Sequence, residues 1–529
     1  MDLARKLDSF IGAVSPSWAR ARATERWRTS VIEHGLGLLG GSGDVAQRRY
    51  AGASMGDRNS TWMASGSSAN TEIAGSIQIL RNRSRQLVRD EGWPSVAVRR
   101  IVSNAIGDGM RATIEHPDPA VKKRAQELWD AWADRADVDA DNRLNLYGLQ
   151  ALALRSVVEG GDCLVRARMR RPEDGLDIPL QLQLLEGDYL DTTRDTFGVG
   201  GRVVKQGIEF DAIGRRAAYW LFRDHPGEYG WRATYESVSV PASMIAHAYR
   251  IERPGQVSGV PWGAPTFLAQ RMLGNWRDAT LYRLQAAACL VAIVTGGDPL
   301  DNPQPITAGN ATGHKPEVLN PGAILYPDGA QSVTFSSPPG VQGTESFSHQ
   351  VLLEVAAAYG VPYEVMTGDL SRVNYSSIRA GLLEFRREIR IWRRDVLQTT
   401  VLDRVFRWFL TAAQLAGKLP QADAFRVSWT PSRAEFIDAE KEIRGIVAEV
   451  RAGLSTWSEK VRENGWNPGD LVEEFIEDME AQDEAGVSFD CDPRRPLQQA
   501  GSAPAPAPSK TGKADGEEAD DAAEDDDEE

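Results

Sequence analysis

Between Pro265 and Gly360 the chain carries two helical patterns separated by an interval that cannot be helical, and no other feature of its 529 residues constrains the fold as strongly. The first helix is expected to open where the breaker-rich "ERPGQVSGVPWGAP" ends, with Pro265 near its first position, where a missing N–H costs nothing. It is expected to run to about Thr295, which is about 31 residues or ~46 Å at 1.5 Å per residue. The interval 296–343, "GGDPLDNPQPITAGNATGHKPEVLNPGAILYPDGAQSVTFSSPPGVQG", is rich in Pro, Gly and Asn and holds only short β runs. "TESFSHQVLLEVAAAYG" then resumes a helical pattern. A long helix, a small irregular excursion and a returning helix predict a protruding hairpin with a compact tip.

A second long helix follows. Ile378, Leu382, Phe385, Ile389, Trp392 and Val396 step by four and three, so a helix starting at Ser376 or Ser377 is predicted to continue to about Ala416, a length of ~60 Å. Ahead of the hairpin, "TEIAGSIQILRNRSRQLVRDEGWPSVAVRRIVSNAIGDG" reads as two helices separated at "EGWP". "PAVKKRAQELWDAWADRAD" and "LNLYGLQALALRSVVEGG" read as two more. Strand signals come next, in "CLVRARM", "IPLQLQLLE", "GIEFD" turning at "AIG" into "RRAAYWLF", and "ATYESVSV". Helices before strands make the fold class α+β. Near the C-terminal end, "AEFIDAEKEIRGIVAEVRAGLSTWSEKVRENG" and "PGDLVEEFIEDMEAQDEAG" are helical, with Ser455/Thr456 as a start signal. Residues 1–60, with the joint "GLGLLGGSGD", are read as a flexible arm that orders against partners. Residues 487–529, with "APAPAP" and an acidic run, are too poor in apolar side chains to fold and are expected to be disordered.

Charge restricts the function. The net charge is −15, and from Gly501 onward two Lys face eleven carboxylates, so the tail holds −9 and the other residues −6. A protein that grips nucleic acid is ordinarily basic, so any contact with DNA must be local or weak. Cys163, Cys289 and Cys491 lie far apart without a CxxC pair, which argues against a disulfide framework or a zinc site and points to a reducing interior. The N-terminal "MDLARKLDSFIGAVSPSWARARATERWR" lacks a signal-peptide core and suggests an amphipathic surface helix. The longest apolar run, "AAACLVAIV", is about half of the ~20 residues a bilayer requires, so no membrane span is expected.

Candidate chemistry is scarce. "GLGLLG" matches GxGxxG, yet neither a strand before it nor a helix after it is present to hold a pyrophosphate. "AGNATGHKPE" is too short between glycines for a phosphate loop, and no Ser or Thr follows Lys315. Cys163, at a strand start, reads as a buried structural thiol. The six histidines show no HxH or HxxxH spacing, and no nucleophile elbow is found. No catalytic residue, metal ligand or cofactor is nominated.

Two polar features remain. The stretch "GDLSRVNYSSIRAG" places Ser371, Arg372, Val373, Asn374, Tyr375, Ser376 and Ser377 before the long helix; it reads either as a capped helix start with a polar turn or as a surface whose neutral donors touch phosphates. Arg379, Arg386, Arg387, Arg390, Arg393 and Arg394 on that helix form either a DNA rail or partners for carboxylates of a neighbouring copy. The acidic chain favours the second reading.

At these residues the chain resembles a family, the portal proteins of tailed bacteriophages in their lambda-type branch. The resemblance is carried in order by "RRYAGA", "RSRQLVRDEGW", "IVSNAIGDGM", "LQLLEGDYLD", "GIEFDAIGRRAAYWLFRDHP", "VPASMIAHAYRIERPGQVSGVP", "NPGAILY", "EVAAAYGVPYEVMTGDLSRVNYSSIRAGLLE" and "AEKEIRGIVAEVRAGLST", over roughly Arg48 to Ala485. Two departures stand out: Ser258 occupies the place of an Arg in "RPGQxRG", and "GGDC" replaces a Gly-Glu form.

The resemblance implies a portal fold. It divides the chain into an N-terminal arm (1–60), the first part of a wing (61–262), stem helix 1 (263–295), a clip (296–343), stem helix 2 (344–360), a tunnel-loop region (361–377), a wing-spanning helix with its return (378–433), a helical crown (434–486) and the acidic tail (487–529). It implies a ring, commonly of twelve copies, at one vertex of the virion capsid, assembled in the host cytoplasm, through which double-stranded DNA is packaged and ejected. Residues Ser371 to Ser377 would face that duplex. The implied partners are other copies of the chain, DNA held weakly and without sequence preference, the terminase large subunit, the major capsid protein and scaffold, and head-tail adaptors, with no membrane. The competing reading is a non-portal oligomeric scaffold or connector of the virion.

Overall fold

The alternation of side chains along one strand organises the centre of the molecule. In the computed structural model, which describes residues 61, 64–197, 202–228, 236–288, 292–295, 324–325, 332–335, 344–421, 424–433, 435–436 and 438–487, that strand is Asp162–Met169. The chain divides into two units, Met1–Ser67 and Ser68–Glu529, and every element below belongs to the second. The expected N-terminal arm, most of the interval 296–343, and all of the tail beyond Val487 lie outside the described residues.

Helices lead, as expected. α1 (Ala69–Ala74) is capped by Ser68, and α2 (Ile77–Asp90) and α3 (Gly92–Ile106) follow. The stretch expected to hold two helices thus holds three, and the break before α3 is the single residue Glu91, at ψ 133. Pro94 does not end a helix because it sits in the first turn of α3, where its lost N–H has no partner to lose. β1 (Arg111–Glu115) leads to α4 (Pro119–Ala133), started by the Asp118 carboxylate on the Ala120 N–H and by Pro119. α5 (Leu146–Gly160) is capped by Asn145.

β2 (Asp162–Met169), β3 (Leu180–Glu186) and β9 (Ile245–Tyr249) form an antiparallel sheet in the order β3–β2–β9. The chain between them contributes β4 (Thr196–Phe197), β5 (Val203–Lys205), β6 (Ile208–Phe210), β7 (Arg216–Phe222) and β8 (Ser237–Pro241), a five-stranded meander. The period of two divides the central sheet. Cys163, Val165 and Ala167, with Leu182, Ala246 and Ala248, point into a core shared with α3, α4 and α5, while Leu164, Leu185 and Ile245 point into a second core with Ile208, Tyr219, Leu221 and Val240 of the meander.

The hairpin begins as expected and then departs. A 3-10 turn over Ala264–Thr266 contains Pro265 and runs into α6 (Phe267–Ala288). The helix does not reach Thr295: Ala292–Thr295 is strand β10, paired in parallel with β11 (Ile324–Leu325) and antiparallel with β12 (Ser332–Phe335). A short apolar run fits a buried helix or a buried strand equally by periodicity, and the β-branched Ile293, Val294 and Thr295 with a ladder partner decide it for strand. α7 (Thr344–Tyr359) returns.

The spanning helix starts one residue earlier than the sequence suggests, because Asn374 rather than a serine is the cap. α8 (Tyr363–Thr367) precedes it, then α9 (Tyr375–Trp392), a π-helical stretch Arg393–Leu402 and α10 (Asp403–Leu415) run on without interruption. Phe385, Ile389, Trp392 and Val396 are buried as their spacing predicts. In the core Trp129 meets Phe406, Phe409 and Trp429 edge-on at centroid distances of 5.6, 5.0 and 5.8 Å. β13 (Arg426–Thr430) pairs with β1, and α11 (Ala439–Arg451), α12 (Trp457–Glu463, capped by Thr456) and α13 (Pro468–Ala485) close the described chain.

Candidate nucleic-acid interface

The polar stretch is a loop between two helix ends. Gly368, at φ 74, terminates α8 in a left-handed conformation that a side chain would resist. Asp369 then accepts from the N–H of Ser371 at 3.0 Å and from its hydroxyl at 2.6 Å, and these bonds hold its carboxyl below the usual carboxylate range. Arg372 reaches back to Glu345 in the first turn of α7 at 2.6 Å, fixing the loop to that helix. Asn374 accepts from the N–H of Ser377 at 2.9 Å while the Ser377 hydroxyl accepts from the N–H of Asn374 at 3.0 Å, a reciprocal capping box. Ser376 donates to the Asn374 side chain at 2.7 Å.

Ser371, Arg372, Asn374, Ser376 and Ser377 are exposed and Val373 is half-buried. Six of the seven expected contact residues therefore lie together on one solvent-facing turn, and Tyr375 begins the helix beside them. The Ser371, Ser376 and Ser377 hydroxyls and the Asn374 amide oxygen are each engaged by a neighbour in the loop, and the Arg372 guanidinium is paired with a carboxylate. The loop presents dipoles and little net charge, which is a surface that touches an anion weakly.

The arginines of the spanning helix have mixed uses that the sequence reading did not separate. Arg393 donates to the carbonyls of Ala105 at 2.6 Å and Asn104 at 2.9 Å, closing the C-terminus of α3, and burial pulls its guanidinium down to about 10. Arg387 pairs with Glu384, and Arg394 pairs with Asp395 at 2.8 Å. All three are thus engaged within their own chain, Arg393 by backbone carbonyls and the other two by exposed carboxylates. Arg386 gives one bond, of 2.8 Å, to the Glu435 carbonyl, Arg379 lies near Asp438, and neither they nor Arg390 form a salt bridge among the described residues.

The strongest polar cluster is elsewhere, and no sequence motif announces it. Asp162, at the start of β2, is 1% exposed. It accepts from Arg81 of α2 at 2.5 Å, from the Ser258 hydroxyl at 2.6 Å, from the Gly259 N–H at 2.6 Å and contacts His247 Nε2 of β9 at 3.1 Å. Burial opposes its charge, but the His247 hydrogen bond, the Arg81 guanidinium and the Ser258 hydroxyl outweigh it and hold the carboxyl at about 2. Burial pushes His247 down. The cluster ties α2, β2, β9 and the segment before α6 at one point.

Two chemical alternatives find no support in the geometry. Burial pushes the Cys163 thiol up to about 12, away from the thiolate form that a nucleophile needs. Glu186, Asp188 and His225 place ligand atoms within 4.8 Å of one another, but Arg85 lies 2.6 Å from Glu186 and also binds Asp188, so a cation already fills that position. Among the described residues no helix is long and apolar enough to cross a membrane.

The family model described as phage portal protein, lambda family, matches residues 55–393, well over half of the chain. The chain belongs to that family. Among curated relatives, the probable portal protein of Halomonas phage phiHAP-1 is 23% identical over 81% of this chain and 86% of its own length. The portal protein of Escherichia phage N15 is 20% identical over 85% and 94%, and portal protein B of Escherichia phage lambda is 19% identical over 85% and 93%. A solved chain from the neck of a native gene transfer agent particle is similar at 15% identity with a TM-score of 0.43, covering 73% of this chain and 94% of that one. In this lambda-family portal protein the two positions singled out in the sequence, Asp162 of "GGDC" and Ser258, are hydrogen-bonded to each other, 96 residues apart.

Proposed function

We propose that copies of this chain form a ring at one capsid vertex whose channel passes double-stranded DNA during packaging and ejection. The observation that carries the reading is the family match over residues 55–393. The excursion between α6 and α7, with the three-stranded sheet β11–β10–β12, supports it in shape. On this reading residues 61–262 and 378–433 are wing, 263–295 and 344–360 stem, 296–343 clip, 361–377 tunnel-loop region and 434–486 crown. The ring has twelve members. The clip receives the terminase during packaging and head-tail adaptors afterwards, while capsid protein and scaffold surround the wing.

Ser371 to Ser377 face the duplex in this arrangement. Twelve copies at −15 carry about −180, of which the tails hold about −108 and the remaining residues about −72, so the folded wall is acidic on balance and repels phosphate, and self-satisfied hydroxyls and amides at the constriction steady the duplex without trapping it. The motor is a separate ATPase.

Purified protein imaged in negative stain and weighed by native mass spectrometry tests the reading. Twelve 58.0 kDa copies give rings of about 700 kDa with a central hole. A single subunit under every assembly condition, or ATP turnover by the chain alone, refutes it.

A further inference from the structure

We propose that neighbouring copies are joined by an ionic zipper in which the acidic stripe of α13 on one copy lies along the arginine stripe of α9 on the next. The inference rests on the ring reading above and specifies which surfaces close the ring.

α13 carries eight carboxylates and no Lys or Arg, and buries none of its residues in its own chain. Glu473, Glu477, Glu480 and Glu484 step by four, three and four, which places them within about 60° of one another around the helix. None of them forms a salt bridge among the described residues. Beside this stripe runs an apolar ridge, Val472, Phe475 and Ile476, exposed by 42%, 41% and 46%. A helix with a bare apolar ridge and an unneutralised acidic edge is built to lie against another surface.

The complementary surface is on α9 of the same chain. Arg379, Arg386 and Arg390 step by seven and four along α9, beside the buried stripe that anchors the helix. Arg379 lies near Asp438 and Arg386 donates to the Glu435 carbonyl, both arginines being half-exposed; Arg390 is exposed, and none of the three forms a salt bridge among the described residues. Leu383, 47% exposed, flanks them and offers an apolar contact for the ridge. The two stripes share the seven-residue repeat that lets helices run side by side for several turns. Because acid and base lie on different helices, the contact is head-to-tail, the kind that generates rings when its rotation closes.

The test uses the full-length chain in two reversed forms, Glu473→Arg/Glu477→Arg/Glu480→Arg and Arg379→Glu/Arg386→Glu/Arg390→Glu, with the single pair Glu477→Arg and Arg390→Glu as a milder set. Each triple variant alone sets like charges face to face and is expected to lose at least tenfold of its ring mass by native mass spectrometry. An equimolar mixture is expected to restore rings that contain both variants in alternation, since each reversed stripe then meets its opposite. Rings from either triple variant alone, as when α13 docks on capsid protein or scaffold instead, overturn the proposal while leaving the ring reading intact. So does a failure of both the triple and the single pairs to rescue one another. Wild-type chain that never forms rings removes the ring and this interface together.

Discussion

The buried junction at Asp162 and the exposed turn at 368–377 share carboxylate, serine hydroxyl, arginine and backbone N–H chemistry, to which the junction adds His247, and they part company in access to water. At Asp162 every partner is sealed from solvent, so each bond is made at low dielectric and each broken bond leaves a group that water cannot reach. In the turn, Arg372 and Glu345 are 53% and 87% exposed, and water replaces whatever a substitution removes. The first arrangement locks α2, β2, β9 and the segment before α6 together. The second leaves a surface that can be touched and released.

Substitutions that exchange the two environments should therefore differ in cost by an order of magnitude. Asp162→Ala strands the Arg81 guanidinium and His247 in the interior and is expected to cost about 3–5 kcal/mol, read from the denaturant midpoint of the wild type and the variant. A loss below about 1 kcal/mol would mean that water enters the junction and the contrast with the turn is false.

Acid probes the same contrast without mutation. Asp162 is held at about 2, below its ordinary value, so its contribution is complete above the unfolded value and is lost as pH falls toward 2, about 2 kcal/mol in all. His247 is also shifted down, so the folded state favours its neutral form and that contribution, too, is lost as pH falls below the ordinary histidine range. Stability measured from pH 7 to pH 2 should fall in two stages, the first abolished by His247→Gln and the second reduced by Asp162→Asn.

Smaller effects belong to the turn. Asn374→Ala removes one half of the capping box and is expected to cost about 1 kcal/mol, with faster amide exchange confined to the first turn of α9. Arg372→Ala breaks an exposed pair and should change global stability by less than about 0.5 kcal/mol, an effect that salt erases. A destabilisation by Arg372→Ala equal to that of Asp162→Ala would end the comparison.

What could be read from sequence follows the same division between local and distant. The 4–3–4 spacing marked the inward face of the spanning helix because a helical face is a local property: Phe385, Ile389, Trp392 and Val396 are buried, while Ile378 and Leu382 in its first turns are half-buried. Thr456 as a cap and the turn from Ile208–Phe210 into Arg216–Phe222 were legible for the same reason. The strand at Ala292–Thr295 was not, because its identity depends on Ser332–Phe335 far along the chain. The pairing of β1 with β13 and the π-helical stretch at Arg393–Leu402 were likewise unannounced by any nearby signal. In the candidate site, the polar composition of the loop was evident, while the use of Arg393 on the end of α3 and the meeting of Asp162 with Ser258 required the folded chain.

The most direct measurement is the salt dependence of duplex DNA binding by the assembled ring. A wall that holds DNA through neutral dipoles and few unpaired cations predicts weak binding, with log K falling against log [salt] at a slope no steeper than about −2. Tight binding with a slope near −6 to −10, the signature of many phosphates neutralised at once, would contradict it.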